Sequence, residues 1–184
     1  MTNKEQILQT ALALFAEQGY DRTPTSQIAR EAGVSEGLIF RHFGSKDALL
    51  AAIIQLGLSQ IAESMQGYTG QAAPHGAIAE HIARSFALVR AHETFWRLVQ
   101  KARFQPAVRQ TAAAQIEEVN RFIVGQLTAH FQQAGSANPQ LEALHLFALI
   151  DGVTIHYLDN PAEYPLDAMQ QFLIQKYSDG NNMG

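Results

Sequence analysis

Between Thr25 and Lys46 the chain gathers side chains suited to contact with a polyanion. They are the hydroxyls of Thr25, Ser26 and Ser35, the guanidinium of Arg41, the imidazole of His42 and the ammonium of Lys46. An arginine can bond bidentately to the two acceptors of guanine in the DNA major groove, or settle on phosphate. Hydroxyls and free N–H groups in a helix's first turn can hold phosphate oxygens, although helix capping alone would also explain Thr25 and Ser26. His42 is expected to pack or meet phosphate rather than read a base. Gly37 permits close approach to a groove, or is tolerated near a helix start.

Positioning those groups takes two short helices and a tight turn, and residues 25–46, TSQIAREAGVSEGLIFRHFGSK, spell them out. Thr23 is placed to cap the first helix, with Pro24 in its first turn, and Ile28, Ala29 and Ala32 give that helix one apolar face. Gly33 ends it in the left-handed conformation, Val34 tucks into the turn, and Ser35 caps the second helix. Ile39 and Phe43 face inward, leaving Glu36, Gly37, Leu38, Arg41 and His42 largely outward. A short helix exposing its first residues fits the major groove of B-DNA. The same geometry also occurs in proteins that never touch DNA.

The rest of the chain reads as helix. Thr2 and Glu5 have capping-box spacing ahead of an apolar stripe, Ile7, Leu8, Ala11, Leu12 and Phe15, that stops at Gly19. Ser45 is placed to cap a long rod through Leu49, Ile53, Gly57, Ile61 and Met65, about residues 46–66, bridging a head to a body. Gly67 to Gly76 reads as a loop, followed by helices from Ala77 to about Ala91 and from Glu93 to Phe104, with a break at Pro106. Further helices are predicted from Ala112 to Ala134, from Pro139 to about Leu158 and from Leu166 to Tyr177, with a polar tail after Ser178. The fold class is all-α: an N-terminal three-helix head with a helix-turn-helix at residues 1–46, then a helical body at 47–184.

The series Phe15, Gly19, Tyr20, Ile28, Ala29, Ala32, Gly33, Val34, Ser35, Gly37, Ile39, Phe40, His42, Phe43, Ser45, Lys46, Leu49 and Leu50 resembles the N-terminal domain of TetR-family transcriptional regulators. Beyond it the resemblance is looser, resting on helix count, on Ile150 to Val153 and on Asp159 to Pro161. It implies phosphate contacts by Thr25 and Lys46, with Phe40 near the DNA backbone where the family usually has tyrosine, so that one hydroxyl contact is lost. It also implies a homodimer joined through a four-helix bundle. The stripe Leu141, Leu144, Ala148, Gly152 and Ile155, whose small residues suit a close helix crossing, fits that interface or a crossing within one subunit. The family further implies a ligand-binding body, for which Phe86, Arg90, Trp96, Phe104 and Phe122 are candidates to line a mostly apolar pocket.

Composition sets limits. Apolar residues make up 47% and charged ones 16% of 184, which indicates an ordered globular chain. The net charge of −4, and five basic against six acidic residues in positions 1–50, sit awkwardly with a nucleic-acid binder. Segregation by face, with Arg41, His42 and Lys46 on the DNA side, resolves the conflict and predicts modest, salt-sensitive non-specific affinity. No signal peptide or spanning apolar run is expected, and without cysteine there is neither disulfide nor thiolate metal site, which fits the cytoplasm. Glu142 and His145 could share a metal, but no third ligand is fixed by spacing, and a surface or interface pair is the simpler reading. No phosphate loop, nucleophile motif or paired carboxylates appear, so neither an enzyme nor a cofactor is expected. The expectation is a ligand-responsive regulator, a repressor, acting on a palindromic operator. The alternative is a helical ligand-binding or scaffolding protein whose head does not function on DNA.

Overall fold

The structure is a computed structural model and describes residues 1–66, 74–102 and 113–178. Among these, the regular elements are all helices: α1 Asn3–Gln18, α2 Thr25–Glu31, α3 Glu36–Phe43, α4 Lys46–Gln66, α5 Pro74–Ala91, α6 Glu93–Ala102, α7 Ala113–Gln133, α8 Pro139–Asp159 and α9 Leu166–Ser178. The all-α expectation holds. Helix α5 opens at Pro74 rather than Ala77, because the fixed φ of proline suits a helix's first turn. The predicted loop segment 67–73, the break at Pro106 and the tail after Ser178 lie outside the described residues.

Packing divides the chain into two units: residues 1–64 with 93–117, and residues 65–92 with 118–184. The expected boundary after residue 46 is a division by role, and packing groups the chain differently.

In the first unit α1 is stapled at its start. The Thr2 hydroxyl accepts from the Glu5 N–H while the Glu5 carboxylate accepts from the Thr2 N–H at 2.8 Å, the capping box read from the sequence. Ile7, Ala11 and Phe15 of α1 are buried, as are Ile28 and Ala29 of α2, Ile39 of α3, and Leu49, Leu50, Ile53 and Ile54 of α4. Gly33 has φ of +64° and Gly44 φ of +80°, so a side chain at either would strain the turns that separate α2, α3 and α4. Thr23 departs from expectation. It does not cap α2, whose start at Pro24 has no side-chain cap. Its buried hydroxyl instead donates to the Gly19 carbonyl at 2.9 Å, serving a backbone oxygen that the end of α1 leaves unpaired. Helix α6 completes the unit: Lys101 donates to the carbonyls of Ala16 and Glu17 at 2.6 and 3.1 Å, and Phe95 lies against Gly57 of α4.

The second unit is built around Ile78, Ile82 and Phe86 of α5, Leu127 and Phe131 of α7, Ala143, Leu146 and Val153 of α8, and Leu173 and Tyr177 of α9. Phe131 and Tyr177 meet edge to face at 5.9 Å, and an Arg90–Asp167 ion pair ties α5 to α9 at the surface. Helix α8 is long and apolar enough by length and composition to cross a membrane. Glu142, His145, Asp151 and His156 punctuate it, so it contains no long uninterrupted apolar run. Its buried residues are core of this unit, and much of the remainder is exposed.

Candidate nucleic-acid interface

Helix α3 is held by Ile39, which is fully buried, and by the Ser35 hydroxyl, which accepts from the Leu38 N–H at 3.3 Å as the sequence suggested. That anchoring leaves one side free. Glu36, Gly37, Phe40, Arg41 and His42 are exposed, with Leu38 and Phe43 half-buried. No Cβ contact would arise at Gly37 within 4 Å, so the helix presents an open surface there. Ser26 of α2 is exposed on the first turn, and Thr25 beside it is half-buried. The Thr25 hydroxyl is already engaged: it donates to the Glu36 carboxylate at 2.5 Å, bridging the first turns of α2 and α3.

Lys46 is more deeply engaged than its type suggested. Its ammonium donates to the Tyr20 carbonyl at 2.6 Å and lies 4.2 Å from the centroid of the Tyr20 ring. Desolvation lowers its pKa, opposed by the charges of Asp21 and Asp47. The Tyr20 hydroxyl in turn donates to Asp47, and burial, followed by that carboxylate, raises the phenol's pKa. Sequence reasoning missed this cluster, since no local spacing links Tyr20 to residues 26 and 27 positions away.

The remaining candidates fall in different surroundings. On α8, Leu141 is 66% and Leu144 46% exposed, Ala148 is exposed, Gly152 and Ile155 are half-buried, and a Cβ at Gly152 would meet nothing within 4 Å. His145 lies 3.9 Å from the Glu142 carboxylate and 3.3 Å from the Tyr177 hydroxyl, and among the described residues no three ligating side chains converge on a metal position. Of the aromatic set, Phe86 is fully buried in the second unit's core, Arg90 pairs with Asp167, and Phe122 is 55% exposed. Trp96 belongs to the first unit, where it meets Phe95 edge to face at 5.6 Å, and its buried indole N–H has no hydrogen-bond partner among the described residues. Phe104 lies outside the described residues. Also unanticipated are two buried histidines in the second unit, His81 and His130. Burial, then the charge of His130, pushes the His81 imidazole down to about 4, and burial lowers His130 as well, against the charge of Glu80.

Comparison with known proteins places the head. Residues 7–53 match the family described as bacterial regulatory proteins, tetR family. The HTH-type transcriptional regulator HbdR of Aromatoleum sp. (strain CIB) is 55% identical over 47 residues, which are 26% of this chain and 20% of that protein. The match therefore spans about a fifth of that relative's length. A transcriptional regulator from Rhodococcus sp. Rha1 superposes with a TM-score of 0.83 at 20% identity, covering 97% of this chain and 95% of the other. FadR from Bacillus subtilis, solved in complex with stearoyl-CoA, superposes with a TM-score of 0.79 at 23% identity over 96% and 98% of the two chains. At such identities these structures establish a shared fold. The helix-turn-helix geometry, its exposed α3 face and the match over residues 7–53 agree, and over those residues this chain is similar to the tetR family of bacterial regulatory proteins.

Proposed function

We propose that this protein is a one-component, ligand-responsive transcriptional repressor that binds a palindromic operator as a homodimer. The observation that carries the reading is the exposed face of α3, anchored by Ile39 and Ser35, within a head matched over residues 7–53. On DNA, α3 lies in the major groove with Glu36, Gly37, Leu38 and Arg41 toward base edges, while Ser26, Ser35, Phe40, His42 and Lys46 flank the backbone. Two-fold symmetry sets half-sites about one helical turn apart, roughly 34–36 Å. Support for the dimer is the apolar stripe of α8, whose Leu141 and Leu144 are exposed in the single chain and would be covered by a second copy.

The effector is a small, mostly apolar molecule held in the helical body; the fold shared with a protein solved with stearoyl-CoA supports that class. It acts by binding the DNA-free state more tightly than the DNA-bound state. As a regulator of genes the protein works in the cytoplasm and needs no catalytic step. Gel shifts on a duplex selected from random sequence, with ultracentrifugation of the complex, test the reading. A salt-sensitive complex of one dimer per palindrome is expected. Failure of the protein to enrich any sequence would leave a helical ligand-binding protein with an inactive head. Mass spectrometry of small molecules that copurify, followed by gel-shift titration with them, tests the effector.

A further inference from the structure

The Thr25 hydroxyl carries one proton, and in this structure that O–H donates its hydrogen bond to the Glu36 carboxylate. A hydroxyl that donates to a neighbouring side chain cannot at the same time donate to a DNA phosphate. The contact also restrains the carboxylate of the first residue of α3, a side chain that is exposed and otherwise free to rotate. We infer that Thr25 is a positioning residue for Glu36 rather than a phosphate contact, and that Glu36 so held selects cytosine at one position of each operator half-site. The inference rests on the DNA-binding reading above and names which group reads which base.

The chemistry of the groove decides the base. An ionised carboxylate only accepts, and in the major groove the donors are the amino groups of cytosine and adenine. The adenine amino group sits beside the N7 acceptor, which repels a carboxylate's second oxygen. Guanine presents two acceptors and thymine an acceptor and a methyl group. Cytosine alone offers a donor without an adjoining acceptor on the same base. A fixed carboxylate therefore ranks cytosine first and guanine last. It also repels phosphate, so Glu36 lowers affinity for every sequence while raising the contrast between them.

Selection of operators from random duplexes by the whole 184-residue chain, followed by single-base scans with the wild type, Glu36→Ala, Thr25→Val and Thr25→Ser, tests this. The wild type should prefer cytosine at one half-site position by about fivefold or more. Glu36→Ala should abolish that preference and bind non-specific DNA more tightly. Thr25→Val should weaken the preference at that same position, leaving the other positions unchanged, and Thr25→Ser, which retains the hydroxyl, should restore it. Thr25→Val weakening all sequences equally would mark a phosphate contact and overturn the positioning role. A wild type indifferent to cytosine wherever Glu36→Ala alters the scan would overturn the assignment of the base. If the wild type enriches no sequence, the DNA-binding reading fails and this inference with it.

Discussion

Gly57 in α4 and Gly152 in α8 sit within long helices, one in each packing unit, and their surroundings are opposite. A Cβ at Gly57 would come within 2.2 Å of the Phe95 ring, whereas one at Gly152 would meet nothing within 4 Å. Glycine costs a helix interior about 1 kcal/mol relative to alanine, so each position needs a reason. At Gly57 the reason is inside the subunit, where the ring of Phe95, itself 4% exposed, occupies the space. At Gly152 no atom of the described chain supplies one, and the exposed Leu141 and Leu144 along the same helix direct attention outside it. At Gly57 the first unit is closed by an internal fit; along α8 the second leaves one helix face open.

The sharpest way to break that contrast is one substitution at both sites. Gly57→Leu should cost about 3 kcal/mol or more by overpacking against Phe95, read as a drop in the denaturation midpoint. Gly152→Leu should leave protomer folding within about 1 kcal/mol of the wild type, because leucine suits a helix and the space is open. It should instead dissociate the dimer in ultracentrifugation and weaken operator binding with it. A Gly152→Leu protein that remains dimeric would remove α8 from the interface.

Acid should separate the units next. The buried histidine in question, His81, belongs to the second unit, and its pKa falls from 6.5 to about 4 on folding. A group with a depressed folded pKa contributes its full stability above pH 6.5 and loses it as pH falls toward 4. The difference corresponds to roughly 3 kcal/mol at most, to which the neighbouring His130, lowered in the same direction, adds. Urea titrations at pH 7 and 4.5 should show this loss in the wild type. His81→Leu, whatever it costs at pH 7, should flatten the pH dependence; an unchanged slope would assign the acid sensitivity to His130 or to carboxylates.

The same contrast explains what could be read from the sequence. In the head the decisive features are local: Thr2 with Glu5, Gly33 and Ser35, Gly44 and Ser45 each act within about four residues, and the structure uses every one of them. What failed there was non-local. Thr23 turned inward to the end of α1, and Lys46 found Tyr20 across the head. In the body the helices were legible from apolar periodicity, but which face of α8 is covered and which aromatic groups are core depend on packing among α5, α7, α8 and α9. Phe86 and Phe122 look alike in sequence; one is fully buried and the other 55% exposed.

Arg41 tests the reading face itself. It is exposed on α3 and no hydrogen bond to it occurs among those described, so its guanidinium is available to DNA. Arg41→Ala should lose about 1–3 kcal/mol of discrimination, concentrated at one guanine of the half-site. A base-by-base operator scan distinguishes this from a uniform loss, which would move Arg41 to the phosphate backbone.

Lys46 gives the smallest effect and joins stability to binding. Its ammonium has three donors, of which one serves the Tyr20 carbonyl while the charge rests near the Tyr20 ring. The remaining donors can reach a phosphate without breaking that bond, so the two roles coexist. Removing the side chain as Lys46→Ala should therefore lower head stability by about 1 kcal/mol, through loss of a charge-assisted hydrogen bond and a cation–π contact that are both partly solvated. It should also weaken binding to all sequences alike and reduce the slope of log affinity against log salt by about 0.9. Lys46→Met separates the two: it keeps the stem against the ring but loses the charge, so the salt slope should fall as in the alanine variant with part of the stability retained. A slope unchanged in both variants, with stability still reduced, would confine Lys46 to holding Tyr20 and leave Arg41 and His42 as the basic groups of the reading face.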